Sequence, residues 1–154
     1  MAFNAKINLG VEWRQEKSQD LTTVHESIVK DFSTLFEEGT GGAGEANAVW
    51  STRFSVTGGG FDLNTLTDSL GRSLNFVKVK AVIFKCISIT VPGNNMICLF
   101  ADGTTEMNLG SELTAAGAVA VWHSSAGVAC NSDAYVSATC TGGGVCDIYI
   151  IGTK

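Results

Sequence analysis

Charged residues are scarce in this chain of 154 residues. Lys, Arg, Asp and Glu make up 16% of it, against about 25% in an ordinary soluble domain. The 15 acidic residues outnumber the 10 basic ones, so the formal net charge is −5. A protein that binds nucleic acid needs cations to neutralise phosphates, and this balance therefore predicts no nucleic-acid partner. A surface with few charges leaves neutral area for a protein partner, which favours an oligomer or an assembly component.

Long apolar runs and proline are lacking as well. No stretch of about 18 apolar residues exists that could span a bilayer, and the first residues have no apolar run typical of a secretory signal. We therefore expect no membrane partner. The chain has one proline, Pro92, beside 18 glycines. Many glycines suit a chain that reverses direction often, as a sheet protein must.

Motifs for metal binding are missing. No two of the five cysteines have Cys-x-x-Cys spacing, and the histidines are His25 and His123. A structural zinc site usually brings its ligands in close pairs, so we predict no metal and no other cofactor. The odd cysteine count favours free thiols. Cys140 and Cys146 flank a glycine-rich turn, and a bridge across a hairpin there is the alternative.

Three patterns resemble parts of enzyme motifs. Residues 39–44 match G-x-G-x-x-G, but a strand pattern follows them where a dinucleotide fold has a helix, so a flexible loop is the better interpretation. Ser27 and Lys30 match S-x-x-K without its companion motifs. Glu37 and Glu38 are adjacent and would point apart in an extended chain, which makes a poor acid–base pair. We predict no catalytic residues and no enzyme.

Alternating apolar and polar residues are the strongest structural signal in the sequence. Residues 3–13 alternate without a break, which predicts a strand. Residues 14–20 are polar throughout and predict a loop. The segment 24–36 fits either a helix face or an irregular strand, and we favour the strand. Residues 74–87 predict a core strand that becomes buried on both faces, with Lys78 and Lys80 on its solvated side.

Further short strands are predicted over residues 50–56, 96–101, 118–123, 134–140 and 145–151, with glycines between them. Together these elements predict an all-β fold, a mostly antiparallel β-sandwich of the jelly-roll kind in a single domain. We divide the chain into residues 1–20, an N-terminal strand and polar loop that could act as an arm, and residues 21–154, the β-sandwich domain.

Three segments resemble a group of small virion structural proteins of tailed phages. They are the glycine-alanine loop and strand Gly39-Thr40-Gly41-Gly42-Ala43-Gly44-Glu45-Ala46-Asn47-Ala48-Val49-Trp50, the turn Asp62-Leu63-Asn64-Thr65-Leu66-Thr67-Asp68-Ser69-Leu70-Gly71, and the strand Leu74-Asn75-Phe76-Val77-Lys78-Val79-Lys80-Ala81. The resemblance covers residues 39–85. The segment 147–152 is similar to the final strand of the group.

The resemblance implies a capsid cement, or decoration, protein that stabilises the shell by bridging neighbouring capsid subunits without catalysis. It implies a homotrimer on the capsid surface of the virion, assembled in the host cytoplasm, with the major capsid protein as partner. The alternative is a head-fibre or tail-associated protein, such as a binding module for a cell-surface polymer. The resemblance brings no catalytic, cofactor-binding or metal-binding residues with it.

The N-terminal strand is the candidate for the contact with the capsid or for the seam of the trimer. Its apolar row needs a facing sheet, and the polar loop after it would let it swing away from the domain. The alternative is that the strand pairs within its own sandwich. The candidate contact residues are Phe3, Ile7, Leu9, Val11 and Trp13.

Overall fold

A computed structural model describes the backbone of residues 5–19, 22–40, 42–68, 70–104, 106–108 and 113–154, and within these the side chains of all but residues 8–34 and 106–108. The described residues form eleven strands and no helix. In chain order the strands are β1 (Ala5–Gln19), β2 (Thr22–Glu38), β3 (Glu45–Ala46), β4 (Ala48–Ser55), β5 (Gly60–Asp62), β6 (Lys78–Ile89), β7 (Met96–Asp102), β8 (Glu106–Asn108), β9 (Val119–Ala129), β10 (Ala134–Cys140) and β11 (Gly144–Thr153).

Strands β4 to β11 form two four-stranded antiparallel sheets. We call residues 39–154, which contain β3 and these two sheets, the body. One sheet has the order β4-β11-β6-β9, and the other has the order β5-β10-β7-β8. The pairs are nested along the chain, because β7 pairs with β8, β6 with β9, β5 with β10 and β4 with β11. The prediction of an all-β chain with antiparallel sheets is confirmed.

One hydrophobic core lies between the two sheets in a sandwich-like arrangement. Alternate residues of each strand point to the same side, and Ile148 and Ile150 of β11 meet Phe100 of β7 and Val136 of β10 in this core. All four side chains are fully buried. Trp50 and Trp122 pack against the edge of the same core, as expected for tryptophans on alternating apolar faces.

The first two strands form a long hairpin, which we call the arm (residues 5–19 and 22–38). Fifteen consecutive residue pairs join β1 and β2, from Ala5 opposite Phe36 to Gln19 opposite Thr22. The arm joins the body by a short parallel pairing of Glu37 and Glu38 with β3. The strand interpretation of residues 24–36 is confirmed.

The polar loop predicted over residues 14–20 is wrong for residues 14–19, because β1 continues through them to Gln19. Polar residues can remain in a strand when a partner strand takes up their backbone groups. Here β2 supplies that partner for every residue of β1. The arm therefore includes residues 22–38, which the sequence had assigned to the sandwich domain.

Candidate assembly surface

The base of the arm packs on the outer face of the β4-β11-β6-β9 sheet. Ile7 of β1 and Phe36 of β2 form a second apolar cluster with Ala81 of β6 and Ile151 of β11. Ile7 is 7% exposed and Phe36 is fully buried. The ring of Phe36 also meets the edge of the His123 ring at a centroid distance of 5.9 Å. The base is thereby held on the body by apolar contact.

Of the candidate contact residues, the structure places the side chain of Ile7 in this cluster, against its own body. The backbone of Leu9, Val11 and Trp13 lies in β1, while their side chains lie outside the described residues, as does the whole of Phe3. The alternative of pairing within the same chain therefore holds at the base of the arm.

The backbone register adds residues of β2 to the candidate surface. Leu9 stands opposite Phe32, and Trp13 stands opposite Ile28. Positions opposite each other in an antiparallel pair belong to the same side of the ribbon. In sequence, Ile28, Phe32 and Phe36 are four residues apart, a spacing that suits a strand face as well as a helix face. Because this spacing fits both kinds of element, the sequence alone does not assign these three residues to the candidate surface.

The outer strand of the arm is an open edge within the described part of the chain. The order of the third sheet is β1-β2-β3, with β1 at its end. The fifteen pairs between β1 and β2 contain no register shift, whereas the body has shifts in β6 against β11 and in β6 against β9. A long edge without a bulge is a ready template for pairing with another chain.

A buried lysine joins the glycine-rich loop at residues 39–44, which follows β2 and which we call the root of the arm, to β9. The Nζ of Lys80 donates hydrogen bonds to the carbonyl oxygens of Gly42 at 3.0 Å, Ser125 at 2.8 Å and Ala126 at 2.8 Å. Lys80 is 0% exposed, and burial lowers its pKa from the usual value. The prediction that Lys80 lies on the solvated side of its strand is therefore wrong.

A bulge explains this position of Lys80. Along β11, Ile151 pairs with Ala81 and Gly152 with Val79, so Lys80 is the extra residue of β6. A bulge shifts the alternation by one residue, and Val79 and Val82 consequently both face the core. On the other side of β6, the partner in β9 jumps from Val128 to His123. The intervening residues of β9 supply two of the three carbonyl groups.

The glycine-rich loop at residues 39–44 encloses a carboxylate of its own chain. The backbone N–H of Gly42 donates to Oε2 of Glu45 at 2.6 Å. A Cβ added at Gly42 would lie 2.7 Å from the Cδ of Glu45, so a larger residue there would displace the Glu45 carboxylate from this hydrogen bond. The N–H of Gly44 donates to the carbonyl of Ser125 at 3.0 Å. A strand, β3, follows the loop, so the context for dinucleotide binding does not form.

Beyond the arm base, the outer face of the β4-β11-β6-β9 sheet is exposed and mixed in character. Arg53 and Asp147 stand opposite each other and form two hydrogen bonds of 2.6 and 2.8 Å. These hydrogen bonds from Arg53 hold the pKa of Asp147 below its usual value. Beside them lie Tyr149, 39% exposed, and Val49, 42% exposed. Arg53, Asp147 and Tyr149 border a shallow depression of about 360 Å³.

The five cysteines are free. Cys140 ends β10 and Cys146 lies in β11, which belong to different sheets, so the two residues do not face each other across a hairpin. Burial raises the pKa of Cys130 to about 11.

The turn carboxylates serve the backbone. Asp62 accepts from the N–H of Asn64, Asp68 from Leu70, and Asp102 from Thr104 at 2.7 to 2.9 Å. Within the described residues, no group of three or more His, Cys, Asp or Glu side chains is placed to hold a metal ion. Those residues also contain no helix that could cross a bilayer.

Among known proteins, no family model matches this chain, and no curated protein or solved structure is significantly similar to it.

Proposed function

We propose that this chain is a structural protein of a phage virion, a capsid cement protein that acts as a homotrimer and bridges neighbouring subunits of the major capsid protein. Its role is to bury surface across the junctions between subunits, and no chemical step is part of it. The residue resemblance described above motivates the proposal. The observation that carries it is the arm, a paired ribbon that the body does not need for its own core.

The dimensions of the arm support an assembly role. At about 3.4 Å per residue, fifteen paired residues span roughly 50 Å. A compact body made of residues 39–154 has a diameter of roughly 35 Å. An extended arm rooted on the body is therefore longer than the body is wide, and its outer part reaches beyond it. A segment of this kind suits contact with a second molecule.

The nested strand pairs support a jelly-roll fold for the body. Numbered from β4 to β11, one sheet contains the first, eighth, third and sixth strands, and the other contains the second, seventh, fourth and fifth. Eight strands in two sheets built from two Greek keys are the jelly-roll arrangement, which occurs in viral capsid and lectin domains. The proposed fold thus agrees with a virion protein, and equally with a binding module.

Copy number on the particle tests the proposal. A cement protein stands at repeated positions of the shell, so we expect copies in a fixed ratio of the order of one chain to a few capsid subunits. The measurement is quantitative gel analysis of purified particles. A few copies per particle, with antibody labelling at the tail or at a head fibre, would contradict the cement role and support the alternative of a tail-associated or head-fibre protein.

Add-back to shells that lack the protein tests the part played by the arm. The variant replaces residues 10–31 by Asn-Gly, a pair suited to a two-residue hairpin turn. It keeps Ile7 and Phe36 and therefore the base of the arm. We expect the full chain to bind shells and raise the temperature at which they disrupt, and the shortened chain to do neither. Equal binding by both proteins would show that binding to the shell does not depend on the arm.

A further inference from the structure

In the described part of the chain, the arm has an open edge along β1 and another along β2 up to its pairing with β3 at Glu37 and Glu38, and both can be satisfied by other copies of the same chain. We propose that the arms of three copies pair edge to edge, β1 of one copy with β2 of the next, and close a six-stranded antiparallel tube. This inference rests on the assembly role proposed above and names its partner surface. The occupant of each open edge is the arm of a second copy.

Strand length favours the arm as its own partner. β1 has 15 residues and β2 has 17, whereas the outer strands of the two body sheets have 8, 11, 3 and 3 residues. An unpaired N–H or C=O costs free energy when it is removed from water. In the described chain, an arm is the only segment long enough to pair with the whole edge of another arm.

The arm also lacks two devices that usually keep sheet edges apart. It has no proline, since Pro92 is the only one in the chain, and its fifteen pairs contain no bulge. Natural edge strands are commonly blunted by proline, a bulge or short length. An edge that is long, regular and free of proline is suited to pairing along its full length.

The sequence of the ribbon distinguishes its two sides. From Ala5 to Trp13, alternate residues of β1 are apolar, and their register partners include Phe36, Phe32 and Ile28, with Thr34 and Lys30 as the polar exceptions. The intervening positions are mostly polar, for example Asn8 opposite Ser33. A two-stranded ribbon with one apolar side is marginally stable in water until something covers that side. At the base, the body provides this cover through Ala81 and Ile151.

Pairing of β1 with β2 closes the ring of arms, and the homotrimer proposed above sets the number of copies at three. Pairing of β1 with β1 of a second copy would satisfy one edge of each arm and leave both β2 edges open. Pairing of β1 with β2 around a threefold axis satisfies all of these edges and keeps neighbouring strands antiparallel, because the two strands of each hairpin already run in opposite directions. A closed ring has no edge left on which further copies can add. In such a tube, the apolar sides of the three ribbons face one another in the part of the arm that the body does not cover.

Two matched variants test the tube in the purified full chain. Leu9→Lys places a charge on the apolar side, and Asn8→Lys adds the same charge one residue earlier on the polar side. We expect light scattering at micromolar concentration to give three chains per particle for the wild type and for Asn8→Lys, and one chain for Leu9→Lys. A folded wild-type monomer, a dimer, or a trimer that survives Leu9→Lys would overturn the proposal.

Amide hydrogen exchange tests edge pairing directly, and a folding defect does not mimic its pattern. In the closed tube, amides along the whole of β1 exchange slowly. In a lone arm, the amides of β1 that face β2 are protected and those at the open edge exchange freely, which gives a period of two residues. Uniform slow exchange in the trimer supports the tube. A period of two in the trimer would show that other surfaces hold the three copies together.

The two proposals fail in different ways. A protected trimer that does not bind shells would overturn the cement role and leave the tube intact. A chain that binds shells as a monomer would overturn the tube and leave the cement role intact.

Discussion

The body and the arm are both built from antiparallel strands but differ in what covers those strands. In the body, eight strands are nested into two sheets that share one core. In the arm, two strands pair along fifteen residues, and apolar packing on the body is described only at the base. A body of this kind can be stable by itself, whereas a long two-stranded ribbon needs a partner. The core of the body therefore accounts for the stability of the fold, and the arm is the region that is available for contact with other molecules.

Irregularity is also distributed unequally. The register shifts of the sheets lie in the body, where one of them makes room for Lys80, and the arm has none. Bulges disrupt a ladder and discourage further pairing. The arm, which has no bulge, is therefore suited to pairing with another chain. The body, which has bulges, is less suited to it, and its sheets already cover each other.

The largest expected effect comes from the core of the body. Phe84 is fully buried between the sheets, and Phe84→Ala leaves a cavity that the neighbours fill only in part. We expect the free energy of unfolding to fall by about 3–5 kcal/mol, measured by urea denaturation. Val119→Ala, at a position that is 46% exposed, is the control, with a change below about 0.5 kcal/mol. Similar losses for both would contradict a core between these sheets.

Removing the amine of Lys80 is expected to have the next largest effect. Lys80→Met removes the donor of three hydrogen bonds, and only Ser125 and Gly42 keep a described backbone donor, the N–H groups of Gly44 and Glu45. We expect a loss of about 2–4 kcal/mol. Lys78→Met, at a partly exposed position of the same strand, should cost about 0.5 kcal/mol or less. Equal effects would show that the three hydrogen bonds do not hold the arm root.

The pH dependence of Lys80 gives a second readout. Its pKa in the folded chain lies below the ordinary value of 10.5 because of burial. Between the two values the unfolded state binds more protons, so stability rises with pH. We expect the stability of the wild type relative to Lys80→Met to increase as the pH rises through this window up to 10.5. A decrease over the same range would contradict the buried position.

Two glycine variants test how closely β9 packs on Lys80 of β6. Gly127 has φ +76, and an added Cβ would lie 2.7 Å from Cδ of Lys80 and 2.9 Å from the carbonyl of Val79. Gly117 has φ +89, with no heavy atom within 4 Å of such a Cβ. We expect Gly117→Ala to cost about 1 kcal/mol for its backbone conformation alone, and Gly127→Ala about 2–3 kcal/mol. Thermal unfolding measures the difference, and equal costs would exclude the steric term.

A smaller effect is expected on the outer face. The Arg53 hydrogen bonds keep the pKa of Asp147 below the ordinary 3.8, so the pair stabilises the fold above that pH. The contribution is lost as the pH falls through the lowered value, where the carboxylate takes up a proton. Because Arg53 is largely exposed, we expect Asp147→Asn to cost about 1 kcal/mol at pH 7. The difference from the wild type should shrink in acid, and a difference that grows would contradict the assignment.

The smallest effect on the body is expected from shortening the arm. Replacement of residues 10–31 by Asn-Gly removes the ribbon beyond its base, and the core loses no residue described in it. We expect the unfolding free energy of the body to change by less than about 0.5 kcal/mol, because a lone ribbon adds little stability. Unfolding or aggregation of the shortened chain would show that the arm belongs to the core.

Sequence reasoning found most strands because alternation survives wherever one face is buried. It placed β10 at its observed bounds and β11 within two residues of them. It missed the short strands β5 and β8, since three residues carry no period. It also ended β1 too early, because the residues after Trp13 are polar and show no apolar alternation, while their backbone continues to pair with β2.

The candidate site was predictable only in part. The apolar row of β1 is visible in the sequence, but its partners in β2 follow from a register that a spacing of four residues does not define. The position of Lys80 was hidden by the bulge, which reverses the sides of β6 at one residue. In the structure the bulge is visible because Val79 and Val82 both belong to the core. They are three residues apart, whereas residues on one side of an unbroken strand are an even number apart.

The three hydrogen bonds of Lys80 also impose an order on events after synthesis. They join residues 38, 45 and 46 positions apart in the chain. Contacts so distant in sequence form late in folding, once the intervening loops have closed. The root of the arm is therefore positioned only after β9 has paired with β6. We expect pairing between copies that depends on the position of the arm to follow the pairing of these two strands of the body.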